Sequence, residues 1–236
     1  GLDVSFSGSF CLYCITLIVL RISIIFSFFL FLGCKNSLIN YETRLHIVRP
    51  NETLYAIAWQ YGIDYQDLAR WNRLSSPDII QIGQHLRLSP IDSIASVATT
   101  STMQDGPEFR VWQWPTVGSV VSVFGADDGV PTGIGIEGQE GQIVRASSSG
   151  QVVYAGGGLI GYGELVILKH DQVYLSAYGY NRKLLVRQGD IVARGQEIAE
   201  MGLGPERSPR LHFEIRRGGV PIEPSELLNL APRMHD

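Results

Sequence analysis

Gly161-Tyr-Gly-Glu-Leu-Val-Ile-Leu-Lys-His170 and, further on, Arg210-Leu-His-Phe-Glu-Ile-Arg216 decide the fold of the C-terminal half. The first stretch frames a tyrosine with two glycines and then runs apolar for the length of a strand. The second alternates, with Leu211, Phe213 and Ile215 separated by His212 and Glu214. Alternation of period two marks a strand with one face in the core. Similar runs recur at 120–124, 151–155, 174–180 and 197–201, with Gly125, Gly133, Gly150, Gly189 and Gly195 at or near their ends. Many short strands separated by glycine-rich turns predict a mainly antiparallel β-sandwich over 110–230.

These stretches resemble the LytM (lysostaphin-type) metallopeptidase domain of bacterial cell-wall proteins, over roughly 110–228. The resemblance implies a zinc site built from a His-x-x-x-Asp motif and the second histidine of a His-x-His motif. In this chain the first motif reads Pro131-Thr-Gly-Ile-Gly135 and the second reads Arg210-Leu-His212. Tyr180, within Tyr178-Gly-Tyr-Asn181, stands where a catalytic histidine is expected. One ligand of three is left. Catalytic zinc needs about three protein ligands and an open position for water, whose pKa the metal lowers. Tyr180 and Thr132 keep their protons near neutrality and are poor substitutes. His170 ends a strand at a position the family does not use as a ligand, which leaves Asp127, Asp128, Glu137 and Glu140 as the other oxygen donors. The expectation is a degenerate peptidase-like domain with no catalytic residue, no metal and no cofactor. Its cleft, lined by Pro131, Thr132, Gly135, Tyr178, Tyr180, Asn181, Arg210 and His212, becomes a candidate docking surface. His212 reads equally as a satisfied core histidine.

A second module precedes it. Thr53 is placed to cap a helix whose apolar residues fall at 54, 57, 58 and 61, and Gly62 to stop it. Asp64 opens a second helix carrying Leu68 and Trp71. Flanking strands are expected at 45–48 and 85–88. This β-α-α-β order resembles LysM, a module that binds the N-acetylglucosamine of peptidoglycan. The resemblance places the glycan between Asn51, Glu52, Thr53 and Leu54 on one loop and Asp78, Ile79, Ile80 and Gln81 on the other. Leu54 and Ile79 read either as cover for a sugar methyl group or as ordinary core.

The first residues concern address. Residues 10–32 are almost wholly apolar, long enough to span a bilayer, and Leu30-Phe-Leu-Gly-Cys34 resembles a lipobox. The expectation is a signal segment over 1–33, lipidation at Cys34 and a tether over 34–44. All three cysteines precede residue 35, so no disulfide framework is available to the rest of the chain. The net charge of −4 offers no basic surface for nucleic acid. Lys35 after the cysteine favours, by family logic, the periplasmic face of the outer membrane. Residues 90–109 are poor in large apolar side chains and read as a flexible linker between independent modules at 45–89 and 110–230.

Anchor, LysM and degenerate LytM in this order resemble the NlpD-type murein hydrolase activators. The resemblance implies a protein that cuts nothing itself and switches on a zinc N-acetylmuramoyl-L-alanine amidase for septal wall splitting and daughter-cell separation. The implied partners are peptidoglycan strands, that amidase and the outer membrane. A non-catalytic wall tether and an active zinc endopeptidase remain as alternatives.

Overall fold

Thr53 begins the first helix, α1 (Leu54–Tyr61), by accepting a hydrogen bond from the Ala56 amide at 3.1 Å. Gly62 ends it in the left-handed region, φ 65, where an L side chain is strained. Asp64 then caps α2 (Tyr65–Trp71), accepting from the amides of Gln66 and Asp67. β1 (Leu45–Ile47) and β2 (His85–Arg87) pair antiparallel, with His46 opposite Leu86. Asn72 fastens the second helix to this hairpin: its side chain donates to Leu68 O and Arg87 O and accepts from Arg87 N. The computed structural model describes residues 45–77, 79–90, 111–126 and 131–228, all within the unit Thr43–Asp236. The apolar leader, Cys34, Asp78 and residues 91–109 of the linker lie outside the described residues.

The second module is, among the described residues, a ten-stranded antiparallel sheet. Its strands are β3 (Val120–Ser122), β4 (Ile134–Glu137), β5 (Ile143–Arg145), β6 (Gly150–Gly156), β7 (Glu164–Lys169), β8 (Tyr174–Leu184), β9 (Ile191–Val192), β10 (Glu197–Met201), β11 (Arg210–Arg217) and β12 (Val220–Ile222). Their main path runs β3-β4-β11-β8-β7-β6-β9, with β10 joining β5 to β8 and β12 flanking β11. A short helix, α3 (Pro224–Leu228), follows. Val144, Val192, Ile198 and Met201 pack against Val166, Leu168, Tyr178, Leu211 and Phe213, closing one core between two layers.

The opposite face of the sheet carries the LysM module. Leu165 and Ile167 of β7, Leu175 and Ala177 of β8, and Val153 and Tyr154 of β6 join Leu54, Ile57, Trp59, Leu68 and Leu86 in a second core. The two modules therefore share their apolar interior, where the sequence suggested independent domains. The physical reason lies in β7, which is apolar on both faces and so needs cover on both.

Candidate functional site

Register builds the cleft. In β4, β11 and β8, Gly135 and Gly179 lie directly opposite His212 on either side. Two missing side chains thus flank the one remaining histidine. Its ring is framed by Tyr162 and Tyr180, edge to face, at centroid distances of 5.5 and 5.8 Å. Tyr180 takes a positive φ of 61, uncommon for a residue with a side chain.

Alternation along β11 puts His212, Glu214 and Arg216 on this same face. Glu214 is fully buried. Its Oε2 lies 3.3 Å from His212 Nε2 and accepts from Thr132 Oγ1 at 2.8 Å and from Tyr162 Oη at 3.3 Å. Its Oε1 accepts from Arg216 Nε at 2.6 Å. The Arg216 guanidinium lies 3.8 Å from the Trp59 ring and donates through Nη1 to Trp59 O at 2.7 Å. A continuous polar chain thus joins the LysM helix to the floor of the cleft. Burial, reinforced by the Glu214 charge, raises the Tyr162 pKa above that of an ordinary tyrosine, so its hydroxyl stays a donor.

The described residues do not fit a zinc centre. A Cβ at Gly135 would sit 2.9 Å from Ser122 Cβ and 3.0 Å from Arg210 Cδ, so the arginine stem fills the room an aspartate needs. Among the described residues no group of three His, Cys, Asp or Glu side chains could hold a metal ion. Asp127 and Asp128 lie outside them, and Glu137 pairs in register with Arg210.

Several sequence-derived site residues have other duties. Tyr178 is a correction: it points from β8 into the opposite core, 0% exposed, and its hydroxyl accepts from Ser147 N and Ser176 Oγ. Asn181 is another, being buried with its amide donating to Glu164 O and Tyr178 O. Of the remaining positions Pro131 is exposed, Thr132, Tyr180 and Arg210 are half-buried, and His212 and Gly135 are buried. Tyr162, which motif position does not single out, joins them beside the His212 ring. The signal available was its place between Gly161 and Gly163, both at positive φ.

On the LysM side, Leu54 is a further correction, since it is wholly in the core and cannot cover a sugar. Thr53 is spent on its cap. Glu52 is held by His46 Nε2 at 2.8 Å and by the Arg49 amide at 2.7 Å. Ile80 packs against the shared core. Asn51, Ile79 and Gln81 are exposed, Ile79 at 65%.

Residues 129–224 match the family model described as Peptidase family M23, and residues 46–89 match the LysM domain. The chain is 40% identical over 226 residues to the Lipoprotein NlpD/LppB homolog of Pseudomonas aeruginosa, covering 78% of this chain and 76% of that protein. It is 32% identical over 260 residues to the Murein hydrolase activator NlpD of Escherichia coli, covering 80% and 69%. Among solved structures, the antimicrobial peptidase lysostaphin of Staphylococcus simulans is similar over 53% of this chain and 56% of that one, with 27% identity and a TM-score of 0.47.

Proposed function

Because the chain belongs to the NlpD family of lipoproteins, a LysM module followed by an M23-type domain, we propose that it binds peptidoglycan and activates a zinc N-acetylmuramoyl-L-alanine amidase during septal wall splitting. The observation that carries the reading is the refilled cleft. Arg210 takes up the room of a ligand aspartate, and His212 is turned to Glu214. Such a groove keeps the shape of a peptidase site without its metal chemistry and is free to receive a protein segment. The chain itself is then not an enzyme. Activation is a shift of population: the amidase samples closed and open states, and a partner that binds the open one raises its share. Lipidation at Cys34 holds the chain at the periplasmic face of the outer membrane, and LysM holds it to the wall. Two such contacts raise the local concentration of the cleft where the amidase works.

Wall binding is tested by co-sedimentation with insoluble peptidoglycan. Deleting the LysM module is a poor variant, since it would uncover Leu165, Ile167 and Ala177. Ile79→Asp is better, because Ile79 is exposed and lies outside the core. It places a charge where an apolar side chain would cover the sugar, and binding should weaken about tenfold or more. Sedimentation equal to that of the unaltered chain would reject the placement of the glycan at this loop. Stimulation of the amidase by purified chain is the second arm of the test.

A further inference from the structure

Where the two LysM helices meet the turn between β7 and β8, the structure leaves an open cavity of about 460 Å³. Tyr55, Tyr65, Gln66 and Arg70 line it from one module, and Lys169 and Gln172 from the other. The cavity exists only because the modules are packed together.

Its polar groups are donors in excess. The Lys169 ammonium lies 5.6 and 5.2 Å from the ring centroids of Tyr55 and Tyr65 and donates to Tyr55 Oη at 3.3 Å. Burial opposes this charge, but the two phenols more than offset it and hold the lysine pKa above its ordinary value. Among the described residues, no carboxylate pairs with Lys169 and none lines the cavity. A partly buried cation with only neutral partners is an incomplete arrangement that an anion would complete. Gln172 is fixed from two sides: its side-chain oxygen accepts from Tyr65 Oη at 2.9 Å, and its carbonyl accepts from Gln66 Nε2 at 2.8 Å. Its own side-chain N–H groups have no partner among the described residues. Arg70 is mostly exposed at the rim, with Asp67 beside it. Both tyrosine rings are buried, 3% and 5% exposed, so they cradle the ammonium and present no open face to a neutral sugar.

We propose that this seam between the modules is a second wall-binding site, which takes the carboxylate-bearing stem peptide of peptidoglycan while LysM holds the glycan. The assignment rests on the reading of the chain as a peptidoglycan binder. A cavity of this size falls in the range that holds small ligands, and a stem peptide offers the carboxylates and amide carbonyls that these donors need. Lys169 and Gln172 give the M23-type sheet a direct part in wall binding, beyond any part in amidase docking.

Titration of the detergent-solubilised full chain tests it, with three soluble probes. These are an N-acetylglucosamine tetramer, the free tripeptide L-Ala-D-Glu-diaminopimelate, and triglutamate as an unrelated acidic peptide. The unaltered chain should bind the tetramer and the tripeptide, the latter at least about tenfold more tightly than triglutamate. Lys169→Met should lose tripeptide binding by about tenfold or more while keeping the tetramer. Gln172→Ala, at an exposed position, should weaken the tripeptide in the same direction without disturbing the fold. Binding of the tetramer alone would overturn the proposal and leave the LysM reading intact. Failure to bind either wall fragment would remove the wall-binding reading beneath it. Unchanged tripeptide binding in both variants, or triglutamate binding as tightly as the tripeptide, would also overturn it.

Discussion

Arg216→Met should destabilise the protein by about 3–5 kcal/mol and disable the cleft as well. Arg216 and Glu214 are both buried, and the arginine is the cation that neutralises a fully buried carboxylate. Removing it leaves the buried Glu214 carboxyl without its cation, with only Thr132, Tyr162 and His212 around it. Removing one partner of a buried pair costs far more than the pair is worth against an apolar replacement of both. The same substitution strips the Trp59 carbonyl of its donor and the indole of its cation. For a folded unit of this size the melting temperature should fall by roughly 10 °C. The double variant Glu214→Gln with Arg216→Met should recover a large part of that loss, because no isolated charge remains. A melting temperature within a degree or two of the original for Arg216→Met alone would mean that Glu214 does not depend on Arg216 for its place in the interior.

The second large effect concerns function. Tyr180→Ala with Arg210→Ala should abolish amidase stimulation and leave wall binding as it was. These two half-buried side chains lie at the proposed docking cleft, Tyr180 beside the His212 ring and the Arg210 stem where a Cβ of Gly135 would be. Tyrosine and arginine are the residue types that most often dominate interfaces, each worth about 2 kcal/mol or more when central. Each truncation should therefore weaken activator–amidase binding by roughly 30-fold or more, and the two together by up to about 1,000-fold. Both residues belong to the M23-type sheet and lie outside residues 46–89, so sedimentation with peptidoglycan serves as the internal control. Loss of both activities together would point to misfolding.

How far the sequence reaches is clear from particular residues. Thr53, Gly62 and Asp64 act locally, through caps and a left-handed stop, and such signals survive in any context. The LysM helices were therefore legible almost to the residue. β4 was not, because Gly133-Ile-Gly-Ile looks like a loop to any pattern of alternation, and its glycines serve packing. A Cβ at Gly133 would lie 2.4 Å from Phe213 O. The shared core was visible only as the unbroken apolar run of β7, which says that two faces are covered but not by what. Tyr178 and Asn181 were placed in the cleft by motif position, whereas strand alternation sends Tyr178 inward and Asn181 is used to clip β8 to β7. Glu214, the hub of the site, sits in a stretch legible only as a family marker: His212 and Arg216 are its neighbours on β11, but Thr132 and Tyr162 come from two distant segments that only the fold brings together.

Dye release from labelled peptidoglycan is the most direct test of the account. Full-length protein would be incubated alone, with added zinc, and with the organism's own zinc amidase. The protein alone should release no dye at any zinc concentration, and the mixture should release well above the amidase alone. Chelator-sensitive release by the protein alone would contradict it, because it would mean that a cleft with one histidine, turned to Glu214, still assembles a working metal centre.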